Sequence, residues 1–370
     1  MVKTKICHLT SAHSRNDTRI FYKECVSLAK IKYYDVSLVV ADGREYEAIN
    51  SVKIHGVDKP KGRLYRFFIT PKIIYNKAMN INADIYHFHD PELIPIGIML
   101  LRKGKKVIFD SHEDVPKQIL AKPYLNRYSL NVLSKIYSFF ENYAGSKFTY
   151  IIAATPVIRD KFLKINKNTL DINNFPILKE LPGNSNWNDK KDEICYVGGI
   201  SKIRGINEII KSLASLKTIR LNLAGNFTET DLELNIKKME GWKSVNDFGY
   251  VDREMINQIL SNSKAGLVTL HPVINYIESL PVKMFEYMAA GIPVIYSNFN
   301  LWKDILDGSN CGIAVNPLNP DEISNAIKYI IDNPMESKLM GENGKKLAFS
   351  KYNWGVEEKK LINTYKQISN

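Results

Sequence analysis

The sequence lacks several features that would define a class of protein at once. No apolar run among its 370 residues reaches the roughly 18 residues that a membrane-spanning helix needs. Its first residues carry no long apolar core ahead of a cleavage site. We therefore expect a cytoplasmic protein that has neither a spanning helix nor a signal peptide.

Cysteine is scarce, and its placement excludes the usual cysteine-based sites. The four cysteines lie far apart, each in or beside an apolar run: Cys7, Cys25, Cys195 and Cys311. Such spacing matches neither a disulfide framework nor a zinc-binding pattern. The pair His87 and His89 is a weak metal signal, because no further ligand set accompanies it. We expect reduced core cysteines, no metal site and no cofactor.

Glycine is missing from the loop where a dinucleotide-binding protein would need it. Residues 5–9 read as a first strand, residues 10–19 as a loop and residues 20–31 as a helix. A glycine-rich turn should follow such a strand in a dehydrogenase, so this loop counts against that class. Asp17 or Thr18 could serve as the N-cap of the helix.

Charge is distributed unevenly along the chain. Residues 1–170 carry a net charge of +13, whereas residues 171–370 carry −1. A basic half indicates an anionic partner. Residues 59–68 interleave cations with aromatic rings, which suits an anionic membrane surface or single-stranded nucleic acid. The alternative is a helix start whose aromatic rings pack inward. Nucleic acid is not expected, since the second half has no net positive charge.

Strand-like and helix-like stretches alternate in two successive series. The first series ends near Pro176, a loop-like segment covers residues 181–189, and a new strand begins at Ile194. This alternation predicts two α/β domains, spanning residues 1–178 and 190–350. A helix predicted over residues 130–143 contains Tyr137, Phe139, Phe140 and Tyr143. We expect these rings to pack in the core or between domains.

Two carboxylates bracket the start of a predicted helix in the second half. Glu278 lies in a loop after a strand-like run, and Glu286 lies in the helix that begins near Pro281 and ends at Gly291. The free N–H groups of such a helix favour an anion, so the segment could hold a phosphorylated sugar. Two surface glutamates are the alternative interpretation.

The stretch from Glu278 through Glu286 to Tyr-Met-Ala-Ala-Gly-Ile-Pro-Val-Ile resembles the signature of retaining glycosyltransferase family four, a group 1 family of GT-B fold. The resemblance implies two Rossmann-like, doubly wound domains facing a central cleft. It places the acceptor side in residues 1–178, the nucleotide-sugar donor in 190–350, and a helix crossing back to the first domain in 351–370.

The resemblance also implies roles for residues of this motif. Glu278 would contact hydroxyls of the donor sugar, and Glu286 the nucleotide ribose. The family often has Gly-Phe-Pro after the first glutamate, where this chain has a different donor-side tripeptide: Ser279, Leu280 and Pro281. Lys283 could reach a phosphate or cover the helix surface.

Further donor positions follow by resemblance. The family has Gly-Arg and then Lys-Gly in a loop whose cations bind the donor diphosphate. Here Gly198 is followed by Gly199 in place of the arginine, and Arg204 stands in place of the lysine. Lys202 and Arg19 are the candidates to compensate for the missing arginine. The turn containing Tyr250 and Val251 resembles the segment that holds the nucleotide base.

The acceptor-side positions are in the first half. The loop after the first strand lines the cleft in the family, which makes Asp17 and Arg19 candidates for contact with donor phosphate or acceptor. A histidine after the fifth predicted strand contacts the donor sugar near the reacting carbon, and His112 matches it.

The resemblance therefore implies a retaining glycosyltransferase of hexosyl or N-acetylhexosaminyl type. Its donor would be a nucleotide sugar, with UDP favoured, and its acceptor a glycan or lipid-linked glycan of bacterial surface polysaccharide synthesis. The enzyme would act in the cytoplasm, with a peripheral position on the inner face of the membrane. A nucleotide-sugar epimerase of GT-B fold is the alternative function. A basic nucleic-acid-binding protein is a third hypothesis, from another class.

Overall fold

The computed structural model describes residues 3–120, 122, 126–181 and 186–369. The chain divides into two compact units. The first combines Met1–Asn174 with Gly355–Asn370, and the second is Phe175–Trp354. Within the described ranges, no helix is both long and apolar enough to cross a bilayer.

The first unit is built on an eight-stranded sheet. Its strands in chain order are β1 (Thr4–Thr10), β2 (Tyr34–Val40), β3 (Glu47–Ile49), β4 (Val52–Gly56), β5 (Ile85–Phe88), β6 (Lys106–Ser111), β7 (Tyr150–Ala153) and β8 (Thr169–Asp171). Their spatial order is β3-β4-β2-β1-β5-β6-β7-β8. The short edge strand β3 pairs antiparallel with β4, and the other neighbours pair in parallel. The sequence prediction did not include β3.

Helices connect these parallel strands. They are α1 (Val26–Ala29), α2 (Arg63–Phe68), α3 (Thr70–Ile81), α4 (Ile94–Arg102), α5 (Val115–Leu120), α6 (Arg127–Gly145) and α7 (Pro156–Leu163). A π-helical segment, Thr18–Cys25, leads into α1 where the sequence predicted one α-helix. Parallel strands are covered on both faces, which explains why all of β5 and most residues of β1 and β6 are buried.

The second unit repeats the plan with six strands. They are β9 (Glu193–Val197), β10 (Arg220–Ala224), β11 (Val245–Gly249), β12 (Ala265–Val268), β13 (Val294–Ser297) and β14 (Gly312–Val315). Their order is β11-β10-β9-β12-β13-β14, and all neighbours are parallel.

The helices of the second unit pack on both faces of this sheet. They are α8 (Ile206–Leu213), α9 (Thr230–Ile236), α10 (Arg253–Asn262), α11 (Ile274–Ile277), α12 (Val282–Ala289), α13 (Asn300–Leu306), α14 (Pro320–Asp332) and α15 (Pro334–Ser350). The last helix, α16 (Trp354–Ser369), belongs almost wholly to the first unit, where Leu361 and Tyr365 are fully buried.

Each sheet has a point where the chain changes direction of winding. In the first, β1 lies between β2 and β5; in the second, β9 lies between β10 and β12. Open α/β sheets bind ligands beyond the carboxyl ends of their strands at such points. The loops after β1, β5, β9 and β12 are therefore the places to look for a site.

Candidate functional site

The loop after β9 lies close to the neighbouring strands. Gly198 has φ +115° and Gly205 has φ +81°, a region that favours glycine. A Cβ added at Gly205 would lie 2.1 Å from the carbonyl oxygen of Thr269. The backbone after β9 therefore needs these glycines to follow its path beside the end of β12.

Arg204 folds back over this loop. Its Nη1 donates a hydrogen bond of 3.0 Å to the carbonyl oxygen of Gly199, which also accepts one of 2.8 Å from the hydroxyl of Tyr196. A Cβ at position 199 would lie 2.7 Å from that Nη1. The glycine in place of the family's arginine thus leaves room for the guanidinium of Arg204. Lys202, two residues earlier, is exposed.

A second cation lies at the same loop. Lys283, in the first turn of α12, places its Nζ 3.7 Å from the centroid of the Tyr196 ring and 3.3 Å from the Cβ position of Gly198. That Nζ is buried and donates no hydrogen bond to the residues that the structure describes. Burial, and next the charge of Arg204, lowers the pKa of Lys283 to about 7. The interpretation of Lys283 as a cover for the helix surface is wrong.

The segment before α12 is held in place from two sides. Glu278 follows α11 directly, and Ser279 donates from both its N–H and its hydroxyl to the carbonyl oxygen of Tyr276. The indole N–H of Trp302 donates to the carbonyl oxygen of Ser279 at 2.7 Å. Leu280 packs on the core, and Pro281 is the N-cap residue of α12.

Glu286 has a partner that the sequence did not indicate. Its carboxylate pairs with Arg253 at 2.7 Å, and Arg253 also donates to the carbonyl oxygen of Glu180. Arg253 opens α10 directly after the turn that contains Tyr250 and Val251, so it links that turn to the helix of Glu286. Tyr250 is 82% exposed, and Val251 is partly buried. No local pattern marks Arg253, because its partner lies 33 residues away.

In the first unit, His112 stands at the end of β6 beside buried charges. Its Nε2 lies 2.8 Å from Oδ2 of Asp110 and 3.4 Å from Nδ1 of His89. Arg19 holds the same Asp110 with two hydrogen bonds, of 2.9 and 2.7 Å. Burial would raise the pKa of Asp110, but Arg19 and then His112 outweigh it and hold the pKa well below its usual value.

Asp17 and Arg19 both have internal partners. Asp17 is the N-cap of the π-helical segment and accepts from the backbone N–H groups of Arg19 and Ile20. Arg19 is 5% exposed, and its guanidinium also donates to the carbonyl oxygen of Ile172. This geometry favours the capping interpretation of Asp17. A contact of either residue with phosphate or acceptor stays a prediction.

The structure adds His13 and Asp90 to this edge of the sheet. His13 Nδ1 lies 3.0 Å from Oδ1 of Asp90, and Oδ2 of the same carboxylate accepts from the hydroxyl of Thr10 and the N–H of Ser11. Burial opposes ionisation of Asp90, but these hydrogen bonds outweigh it and lower its pKa. The sequence signal was the position of His13 in the loop after β1.

Two α/β units on mainly parallel sheets, each with polar side chains beyond the carboxyl ends of its central strands, have the architecture of the GT-B fold. Residues 179–347 match the family described as glycosyl transferases group 1. This matched segment lies in the second unit, and together with the relatives and solved structures described next it confirms the predicted fold and the prediction of a transferase.

Individual relatives are distant. The chain is 25% identical to an uncharacterized glycosyltransferase of Methanocaldococcus jannaschii, MJ1607, over 90% of this chain and 89% of the relative. It is 24% identical to the alpha-D-kanosaminyltransferase of Streptomyces kanamyceticus over 49% of this chain and 47% of that enzyme.

Solved structures resemble the whole chain. Sucrose-phosphate synthase from Thermosynechococcus elongatus has a TM-score of 0.79 at 15% identity, covering 99% of both chains. HepE of Anabaena, solved in complex with UDP-glucose, has a TM-score of 0.73 at 13% identity, covering 98% of this chain and 99% of that one. At these identities the likeness shows the fold alone.

Proposed function

We propose that the protein is a retaining glycosyltransferase that takes a hexosyl or N-acetylhexosaminyl group from a UDP-sugar. The observation that carries this proposal is the pair of cations, Arg204 and Lys283, on the glycine loop after β9. Two positive groups side by side repel each other unless an anion lies between them. The pyrophosphate of a nucleotide sugar is such an anion, and the nearby start of α12 offers further N–H donors.

In this proposal, Lys283 compensates for the arginine that the family has at position 199. Lys283 supplies the second cation from α12, while Arg204 supplies the first from the loop itself. Lys202 is exposed and remains a further donor-binding candidate. UDP is favoured as the nucleotide because HepE, which has the same fold, was solved with UDP and with UDP-glucose.

In the transfer that we propose, side chains stabilise the leaving group, and no metal is required. As the glycosidic bond breaks, negative charge grows on the leaving diphosphate, and Arg204 and Lys283 stabilise it. In a retaining transfer on one face of the sugar, that phosphate also helps to take the acceptor's proton. Glu278 would bind hydroxyls of the sugar, Glu286 the ribose, and His112 the sugar near its reacting carbon.

Donor specificity can be measured directly. We expect UDP and one UDP-sugar to raise the melting temperature, since a ligand of the folded state stabilises it by mass action. Release of UDP should depend on an added glycan or lipid-linked acceptor, and NMR of the product should show the anomeric configuration of the donor. Conversion of the donor without acceptor would instead establish the epimerase, and an inverted product would contradict retention.

Variants test the cation pair. Replacing one charged partner of a bound phosphate should cost about 2 kcal/mol, or roughly 30-fold in UDP affinity. We expect that loss in Arg204→Ala and Lys283→Met, and partial recovery in Lys283→Arg. Lys211→Ala, an exposed cation at the end of α8, is the matched control. Unchanged UDP affinity in Arg204→Ala and Lys283→Met would refute this donor site.

We also propose that the first unit rests on an anionic membrane surface, which would bring it to a lipid-linked acceptor of surface polysaccharide synthesis. None of the residues of α2 is buried, and Leu64 and Phe68 are each 76% exposed. Arg66 in the same helix pairs with Glu92. The alternative, in which the aromatic rings of residues 59–68 pack inward, is not supported at Phe68.

Helix α6 of the same unit also has an exposed apolar face. Its exposed apolar side chains recur every three or four residues on one face: Tyr128, Val132, Ile136, Phe139 and Tyr143. The only acid of α6, Glu141, is buried against Lys161. The sequence predicted that the rings of this helix pack in the core or between domains. Tyr137 and Phe140 do pack on the core of the first unit, whereas Phe139, 76% exposed, and Tyr143, 56% exposed, do not.

The exposed apolar residues of α2 and α6, together with exposed cations such as Lys61, Arg63 and Lys135, suit the interface of an anionic bilayer. In a sedimentation assay, phosphatidylglycerol vesicles should pellet with bound protein. The fraction of protein that pellets with pure phosphatidylcholine vesicles should be much smaller. The double variant Ile136→Ser, Phe139→Ser should lose this binding, and Leu339→Ser, which removes an exposed leucine of the second unit, should keep it. Self-association through α6 without vesicle binding would contradict the proposal.

A further inference from the structure

Four metal-ligating side chains meet inside the first unit, away from its exposed edge. His8 on β1 and His87 on β5 are direct cross-strand neighbours, and His89 follows β5 on the same face. Glu24 reaches them from the π-helical segment that covers this face. All four residues are buried, none being more than 2% exposed.

The ligand atoms converge on one point. Nδ1 of His8 lies 3.0 Å from Nε2 of His89, and Oε2 of Glu24 lies 4.0 Å from each of these two nitrogens. Nδ1 of His87 lies 3.8 Å from the same oxygen. In a tetrahedral zinc site with bonds of about 2.0–2.1 Å, neighbouring ligand atoms are about 3.3 Å apart. The four atoms therefore surround a space of nearly the right size for one ion.

In His89 and His8, the ring nitrogen that does not face the shared space has a hydrogen-bonding partner. Nδ1 of His89 lies 3.0 Å from a carboxylate oxygen of Asp110, which is the carboxylate–histidine arrangement that orients metal ligands. Nε2 of His8 lies 3.3 Å from the hydroxyl of Tyr365 in α16. That hydroxyl also lies 2.9 Å from Nδ1 of His87, the nitrogen that faces Glu24, so an ion bound there would replace this contact. These partners leave one nitrogen of His8 and of His89 directed at the shared space.

Within the described residues, the cluster has polar atoms without hydrogen bonds. Neither carboxylate oxygen of Glu24 accepts a hydrogen bond. Arg19 approaches Oε1 of Glu24 at 3.2 Å, while Oε2 faces the histidines. Asp110 also faces Glu24. Arg19 therefore pairs with one oxygen of Glu24, and the oxygen left without a partner is Oε2. A buried acceptor of this kind is costly unless it meets a donor or a cation.

We propose that His8, Glu24, His87 and His89 bind one zinc ion through three nitrogens and one oxygen. Neutral imidazole and carboxylate are ordinary zinc ligands, and a closed four-ligand set is typical of structural sites. The ion would join β1, β5 and the π-helical segment, and it takes no part in sugar transfer because it is enclosed. The neighbouring group of His89, Asp110 and His112 is a poorer site, since it offers only three residues and both oxygens of Asp110 already accept hydrogen bonds from Arg19.

Metal content tests the proposal. The full chain is produced in zinc-supplemented medium and treated briefly with EDTA to remove surface ions. Inductively coupled plasma mass spectrometry should then find about one zinc per chain. Protein produced with cobalt should show the visible absorption of tetrahedral Co²⁺ without a thiolate charge-transfer band, because no cysteine is a ligand. Protein that holds no metal under either condition would overturn the proposal and leave a hydrogen-bonded cluster.

A matched pair of variants locates the ion. Glu24→Gln keeps the shape of the side chain and removes its charge, and it should reduce the zinc content at least about tenfold. His13→Gln removes a histidine outside the cluster and should leave the zinc content unchanged. Circular dichroism checks folding, and UDP binding by the second unit checks the donor site independently. Full zinc content in folded Glu24→Gln would refute the assignment.

Discussion

At the scale of single residues, the donor site depends on two cations that share one loop. Arg204 and the buried Nζ of Lys283 lie beside Gly198 and Gly199, and the charge of Arg204 helps to lower the pKa of Lys283. With a pKa of about 7, Lys283 is charged in about half of the molecules at pH 7 when the site is empty. A bound diphosphate would favour the charged form, so binding and protonation are linked.

This linkage predicts a pH dependence of UDP binding. Above pH 7 the empty site holds neutral Lys283, so binding must take up a proton, and affinity should fall up to about tenfold per pH unit. Calorimetry between pH 7.5 and 9, in buffers of different ionisation enthalpy, measures both affinity and proton uptake. Lys283→Arg stays charged throughout, so its affinity should be nearly flat. The same slope in Lys283→Arg would assign the proton to another group.

The same lysine affects stability without ligand. Its pKa in the unfolded chain is 10.5 and in the folded chain about 7, so the unfolded chain binds more protons between these values. The contribution of Lys283 to the free energy of unfolding should therefore increase, and stabilise the folded chain, as pH rises from 7 towards 10. Comparing urea denaturation of the wild type and Lys283→Met over this range isolates it, since the variant should lack this rise.

Gly199 offers a second residue-scale prediction. Its backbone conformation is open to alanine, but the new Cβ would lie 2.7 Å from Nη1 of Arg204 and displace the guanidinium. We expect UDP affinity to fall about tenfold in Gly199→Ala, the equivalent of about 1.4 kcal/mol. Gly308→Ala is the control, because a Cβ there meets no atom within 4 Å. Equal affinity in both variants would show that Arg204 tolerates the methyl group.

At the scale of elements, Asp17 caps the N-terminus of the π-helical segment, and variants can distinguish this structural role from a role in binding substrate. If Asp17 is only its N-cap, asparagine should replace it in stability and activity, while Asp17→Ala should lose about 1 kcal/mol of stability. Thermal unfolding and transferase rates of both variants decide this. A stable Asp17→Asn enzyme with a large loss of rate would instead place the carboxylate at the substrate.

Elements with strong local signals were predicted well from sequence. The apolar run and terminal glycine around α12 matched the structure within one or two residues, because a helix start and stop are local features. The antiparallel strand β3 was missed, since Glu47–Ile49 is short and at the sheet edge. The direction of the α6 side chains was also missed, because aromatic rings at helical spacing look alike whether they face core or solvent.

Contacts between distant residues could not be predicted at all. The pair Arg253 and Glu286 and the cluster of His8, Glu24 and His87 depend on strand order and register, which place residues far apart in sequence side by side. Lys283 was ambiguous for a related reason. Its position in the first turn of a helix is local, but the burial of its Nζ depends on Tyr196, a residue of β9.

At the scale of the whole molecule, the two ends of the chain belong to one unit. Residues of α16 complete the first unit, where Leu361 and Tyr365 are buried and Tyr365 contacts His87 and His8. The second unit is continuous and has its own core. Stability of the first unit therefore depends on a segment that follows the entire second unit in the chain.

Removal of residues 355–370 should act on one unit and spare the other. The truncated chain loses the buried side chains of α16, each worth about 1.5–3 kcal/mol, so the transition of the first unit should fall sharply or vanish in calorimetry. UDP should still raise the transition of the second unit, because all proposed diphosphate ligands remain. Tyr365→Phe, which removes only a hydroxyl, should cost the first unit far less. Loss of UDP stabilisation in the truncated chain would mean that the donor site needs the first unit intact.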